Sequence, residues 1–226
     1  MGMGAKAEER REVFAWGSGV SGELGMGEEV VSLQQPTRVW WGEDEEQEGC
    51  CEGLAAGDGF SLFLAGKRLY GCGGDGKSPG DQTGIQRIKV ETGEQNETGL
   101  PIEGMACGRL HSLLREAGGG ALLSMGGGSH GQLGNHFGSP HFRNSPKVVP
   151  KMEAPAESSF ACGWFHSLAC CGPHVYSWGQ NHRFQLGHGS DFPANKPRAI
   201  DSLSNIPISI LAAGLHQSYV SILIKS

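Results

Sequence analysis

Apolar and polar residues alternate along short stretches of this chain, and the stretches recur. Val13-Phe14-Ala15-Trp16-Gly17 returns as Val175-Tyr176-Ser177-Trp178-Gly179, with Leu69-Tyr70-Gly71-Cys72-Gly73 and Leu122-Leu123-Ser124-Met125-Gly126 in between. Such alternation puts every second side chain on one face, so each copy predicts a strand. The steps through Trp16, Cys72, Met125 and Trp178 are 56, 53 and 53 residues. A second landmark keeps the same period: Ala56-Gly57, Cys107-Gly108, Cys162-Gly163 and Ala213-Gly214, whose glycines step by 51, 55 and 51. Each is followed by Phe60-Ser61, His111-Ser112, His166-Ser167 or Gln217-Ser218 and then a short apolar run, which predicts another strand.

Two landmarks on one period define four tandem β-repeats, about 13–66, 67–120, 121–172 and 173–226, behind a charged tail over 1–12. A third landmark follows the tryptophan-type strand. It reads Gly22-Glu23-Leu24-Gly25, Gly131-Gln132-Leu133-Gly134 and Phe184-Gln185-Leu186-Gly187, trailed by Pro36, Pro146 and Pro197. Repeat two has Gly76-Lys77-Ser78-Pro79-Gly80 there and is the degenerate unit, with a polar insertion running from Gly80 to Gly99.

Composition agrees with many short strands joined by glycine turns. There are 38 glycines in 226 residues, about a sixth of the chain against a usual share of about 7%. The net charge of −6 disfavours a DNA-binding surface, which needs clustered Lys and Arg. No segment is apolar enough for a membrane span. Met1 to Val13 is charged and lacks the apolar core of a secretory signal. Seven cysteines without such a signal suit a reducing compartment, so the expected location is cytoplasmic or nuclear and the sequon Asn96-Glu97-Thr98 is expected to stay unglycosylated.

The order Tyr-Ser-Trp-Gly, Gly-Gln-Leu-Gly, Pro and Cys-Gly-x-x-His-Ser resembles the repeat of the regulator of chromosome condensation family. The resemblance runs from Val13 to Leu223 and implies a β-propeller with four-stranded blades. Kelch units have a similar period but lack these two motifs, and WD repeats are shorter. Within a repeat, the strand before Cys-Gly is expected first, that after His-Ser second, the Trp-Gly strand third and that near the proline fourth. The chain starts on a third strand and ends on a second, so its two ends are expected to share one blade. The resemblance implies seven blades, or roughly 380 residues at this period. A small closed ring of four and a partial ring needing a partner both fit.

No residue pattern points to a catalytic group, a metal or a cofactor. Gly17-Ser18-Gly19-Val20-Ser21-Gly22 and Gly126-Gly127-Gly128-Ser129-His130-Gly131 match a dinucleotide fingerprint, but no helical periodicity follows, so turns are expected. His111 and His166 occupy one repeat position, held elsewhere by Phe60 and Gln217, and read as structural groups bonding across strands or blades. Cys50-Cys51 and Cys170-Cys171 lack zinc-ligand spacing. Trp16, Gly17, Gly57, Gly108, Gly163, Trp178, Gly179 and Gly214 are read as the structural frame of the repeat.

Partner binding is expected at Trp40, Trp41, Glu43, Asp44, Glu45 and Glu46, where aromatic anchors adjoin an acidic loop suited to a basic surface. Trp164 is added because Asp58, Arg109 and Leu215 fill its place in the other repeats. Related plant ultraviolet-B photoreceptors stack several tryptophans at such positions; one cannot form that stack. The expected function is a non-enzymatic protein-interaction scaffold. The resemblance adds an alternative, a guanine-nucleotide exchange factor for a small GTPase, and a partner among tRNA- or diphthamide-modification proteins.

Overall fold

The structure is a computed structural model that describes residues 11–27, 29–39, 51–74, 82–90, 100–135, 142–153 and 158–222. The alternating segments are all strands, and the chain is all-β. β1 (Phe14–Ser18) and β2 (Ser32–Arg38) form an antiparallel pair. Three four-stranded sheets follow. The first holds β3 (Cys51–Ala56), β4 (Phe60–Ala65), β5 (Arg68–Gly73) and β6 (Gln82–Ile88). The second holds β7 (Ile102–Cys107), β8 (His111–Glu116), β9 (Ala121–Gly127) and β10 (Phe142–Glu153). The third holds β11 (Phe160–Cys162), β12 (His166–Cys171), β13 (His174–Gly179) and β14 (Ala194–Ala199). A pair, β15 (Ile208–Ala213) and β16 (Ser218–Ile222), ends the described chain.

Each sheet is a meander of neighbouring strands in the order expected from the motifs. Pro36, Pro146 and Pro197 lie on β2, β10 and β14, the outermost strands, where a residue without an N–H leaves no ladder bond unmade. One expectation needs correction. The polar stretch from Gly80 to Gly99 contains a strand, β6, which pairs with β5 through Leu69↔Ile88 and Gly71↔Gln86. Among the described residues, β1–β2 and β15–β16 are separate two-stranded sheets with no ladder between them.

The core lies between sheets. Leu62 and Phe60 of the first sheet pack with Leu114, Leu123 and Met125 of the second. Leu113 and Leu122 of the second meet Ala169 and Trp178 of the third. Leu168 and Val175 of the third meet Leu211 of β15. Val13 and Val39, flanking the first pair, meet Phe63, Tyr70 and Cys72. Alternation therefore serves two interfaces at once: one set of side chains faces the preceding sheet and the next set the following one.

Trp178 is fully buried against the preceding sheet, and its indole N–H donates to the Gln132 carbonyl at 2.7 Å. Trp178→Phe removes that donor and leaves a smaller ring, so a loss of about 1–2 kcal/mol is expected in urea unfolding. An unchanged midpoint would show the indole bond to be without weight.

Candidate functional site

The repeat builds one end of the sheets from two kinds of loop. The turn between first and second strands opens at Gly57, Gly108, Gly163 or Gly214, whose N–H donates to the carbonyl of Phe60, His111, His166 or Gln217 at 2.8–3.0 Å. These glycines touch in sequence. A Cβ on Gly57 would lie 2.8 Å from the Gly108 carbonyl, one on Gly108 would meet the Gly163 carbonyl, and one on Gly163 would lie 2.6 Å from the Gly214 carbonyl.

The second loop carries the Gly-x-Leu-Gly block. It is a pair of consecutive turns, with Gly131 N–H donating to Gly128 and Gly134 N–H to Gly131, each at 3.0 Å. The same pair forms at Gly22 and Gly25 and at Phe184 and Gly187. Phe184 takes the glycine position at φ 59°, a strained choice for a bulky side chain. No helix opens there, so no helix N-terminus faces a phosphate.

A serine on the next sheet fastens each such loop. Ser61, Ser167 and Ser218 donate to the carbonyls of Glu23, Gln132 and Gln185 at 2.9, 2.9 and 2.7 Å. Two histidines complete the link: His111 Nε2 lies 2.9 Å from Ser167 Oγ, and His166 Nε2 lies 3.0 Å from Ser218 Oγ. Each serine has spent its proton on a carbonyl, so the imidazole must donate from Nε2 and carry its lone pair on Nδ1. Burial, reinforced by the nearby His166, pushes the His111 pKa down to about 3. Burial lowers His166 to about 4, opposed by its hydrogen bond with Gln217 and aided by His216. Both rings are therefore neutral fasteners.

The thiols are equally inert. Burial raises Cys107 to about 12, and Cys72 to about 12 with help from the charge of Glu23. Protonated thiols are poor nucleophiles. Among the described residues no group of three His, Cys, Asp or Glu could hold a metal ion, and no helix is long and apolar enough to cross a membrane.

Charged and aromatic side chains gather on the rim formed by these turns. Asp58, Arg109, Trp164 and Leu215 stand at the same position of successive turns. Backbone bonds tie these turns: Asp58 N–H donates to the Arg109 carbonyl at 2.8 Å, and Trp164 N–H to the Gly214 carbonyl at 3.2 Å. Arg109 Nε is 2.8 Å from Asp58 Oδ2, while its guanidinium lies 4.5 Å from the centre of the Trp164 ring and 5.5 Å from that of Phe165. Phe165 stacks on His130 at 4.3 Å. His216 meets Trp164 edge-on at 6.3 Å and His182 at 5.0 Å. Partial burial, then the neighbouring His182, lowers the His130 pKa. Trp164 remains 40% exposed.

This rim brings together Trp164 and residues that sequence reading did not single out: Phe165, His130, His182 and His216. Trp40, Trp41, Glu43, Asp44, Glu45 and Glu46 lie outside the described residues, as do Cys50 and the sequon at 96–98.

Stacked four-stranded sheets, fastened loop to sheet along the chain, define a propeller-like repeat protein. The chain belongs to the regulator of chromosome condensation (RCC1) repeat family, whose model matches residues 119–170 and 174–220. It is 33% identical over 169 residues to the human probable E3 ubiquitin-protein ligase HERC6, covering 73% of this chain and 16% of that protein. It is 28% identical over 222 residues to the Bos taurus secretion-regulating guanine nucleotide exchange factor, covering 91% of this chain and 45% of that protein. The fold matches that of Prp20p from Saccharomyces cerevisiae at TM-score 0.72 and 19% identity, over 94% of this chain and 52% of that one. The chain thus spans about half of the latter two and far less of the ligase.

Proposed function

We propose that the chain is a non-enzymatic protein-interaction scaffold that takes a partner protein on the rim around Trp164. The supporting observation is an exposed tryptophan held in place by a guanidinium stacked 4.5 Å away, itself anchored on Asp58. Tryptophan and arginine are the residue types that dominate binding energy, and a pre-ordered pair loses little entropy on docking. The acidic segment with Trp40, Trp41, Glu43, Asp44, Glu45 and Glu46 supplies a second contact for a basic surface on that partner. The cytoplasm or nucleus is the setting, and the net charge of −6 disfavours DNA as the ligand.

Trp164→Ala is expected to lower partner affinity by about 2 kcal/mol, roughly thirtyfold, with an unchanged melting temperature. Quantitative capture from cells with wild-type and variant chain checks this; equal recovery of every partner overturns the reading.

A guanine-nucleotide exchange role is the alternative. It is favoured by the exchange factor among the relatives and by Prp20p, which binds Gsp1p. Accelerated nucleotide release from any member of a small-GTPase panel would replace the pure scaffold reading with this one.

A further inference from the structure

The end of the first sheet opposite the rim holds a cleft of about 210 Å³. Three pieces of chain wall it: the turn at Gly66 and Lys67 between β4 and β5, the end of β6 with Lys89 and Val90, and Leu100 and Pro101 leading into β7. Backbone bonds hold these pieces. Ile102 N–H donates to the Lys67 carbonyl at 2.8 Å, Leu100 N–H to that of Val90 at 2.9 Å, and Ala117 N–H to that of Pro101 at 2.9 Å. Leu69 and Val90 are its buried apolar lining.

The rest of the wall is cationic. Lys67, Arg68, Arg87 and Lys89 all line the cleft, and among the described residues that line it there is no Asp or Glu. Glu103, two residues beyond Pro101, is held 3.2 Å from Arg115 instead. The whole chain has a net charge of −6, so four cations around so small a volume run against its overall balance.

The repeat frame does not ask for these charges. In register, Lys67 and Arg68 stand where the second sheet has Gly120 and Ala121 and the third has Pro173 and His174. Arg87 stands opposite Tyr70, whereas Val148 stands opposite Leu123 and Ala199 opposite Tyr176. The β1–β2 pair is the sharper comparison. There Glu12 holds the place of Arg68, and Arg38, opposite Phe14, holds that of Arg87; the two form an ion pair at 3.2 Å. The diagonal that joins opposite charges in that pair thus carries two arginines on β5–β6. Like charges on neighbouring strands repel, and an anion between them turns the repulsion into attraction.

We propose that this cleft is an anion site for a compact group bearing two phosphates, a chemistry shared by soluble esters and lipid headgroups. Two phosphoryl groups carry about −3 to −4 in all, which answers four cations; one carboxylate leaves most of that charge unmet. Arg68 and Arg87 are half-buried and suited to gripping phosphate oxygens in pairs, while the exposed Lys67 and Lys89 act as point charges at the mouth. At about 30 Å³ per water the cleft equals about seven waters, room for a diphosphate and not for a stretch of nucleic acid.

Titration calorimetry of the full chain with inorganic pyrophosphate at low ionic strength tests this. Saturable one-to-one binding is expected, tighter than that of orthophosphate and weakened by salt. Arg68→Glu is expected to weaken it about a hundredfold, because a cation is lost and a carboxylate faces the anion. That substitution copies the Glu12–Arg38 diagonal, so the melting temperature is expected to hold or rise. Lys89→Gln, at an exposed position, is expected to cost about fivefold and carries the test if Arg68→Glu does not fold. Arg198→Glu makes the same charge change on an exposed residue of β14 and is expected to stay within about twofold of wild type. A wild type that does not bind overturns the proposal, as does unchanged affinity in Lys89→Gln. Equal losses in Arg68→Glu and Arg198→Glu also overturn it, because they report net charge alone. Orthophosphate binding as tight as that of pyrophosphate rejects the two-phosphate class. Flotation with phosphatidylcholine vesicles, with and without phosphatidylinositol bisphosphate, separates the sources. Recovery only with the bisphosphate assigns a lipid headgroup; no recovery, with pyrophosphate bound, assigns a soluble ester.

Discussion

Acidification from pH 6.5 to about 4.5 is expected to cost the wild-type fold about 5 kcal/mol more than a His111→Gln, His166→Gln double variant. In the unfolded chain both imidazoles take up a proton near pH 6.5. In the folded chain they resist until about 3 and about 4. Between those limits the unfolded state holds more protons, so stability falls with pH by roughly 1.4 kcal/mol per unit for each histidine. The resistance has a local cause besides burial. Protonation would place an N–H on Nδ1, and neither Nδ1 has a hydrogen-bond partner among the described residues. Glutamine is the natural replacement because Gln217 fills this position in repeat four. Urea titrations across the pH range read the effect directly. Parallel wild-type and variant curves would mean that the buried rings do not govern the acid limb.

Gly108→Ala is expected to destabilise the chain by about 3 kcal/mol, or roughly 6–12 °C in melting temperature. The new methyl would meet the Gly163 carbonyl and the His111 ring together. Backbone presses on backbone there, so no rotamer change relieves it, and moving either turn disturbs its neighbours. Gly84→Ala is the control: it lies on β6, and a Cβ there has nothing within 4 Å. That variant should stay within about 0.5 kcal/mol of wild type. Equal melting of the two variants would show that the glycine contacts carry no strain.

The repeat was legible because its strands are marked by features with direct physical meaning: alternation, a glycine where turns touch, a proline on an outer strand. β6 escaped because outer strands are half solvated. Gln82-Thr83-Gly84-Ile85-Gln86-Arg87-Ile88 is therefore polar enough to pass for a loop, and it lacks the proline. The exposure of Trp16, against the burial of Trp178, was illegible for a different reason. Its local sequence matches that of Trp178, and burial depends on a neighbouring sheet that no local motif encodes. The rim was half visible. Asp58, Arg109 and Trp164 could be aligned as one repeat column, but His130 and His182 come from the other loop, and only the stacking of sheets sets them beside Phe165 and His216.

The serine links run in one direction. Ser61 holds the loop of Glu23, Ser167 that of Gln132, and Ser218 that of Gln185, so each loop is finished by residues that follow it in the chain. During synthesis a sheet leaves the ribosome with its Gly-x-Leu-Gly loop still unfastened, and the loop sets only when the next sheet arrives. The loop bearing His182 and Phe184 waits for Ser218, among the last described residues. Shape at this rim is therefore acquired backwards, one sheet behind the growing end.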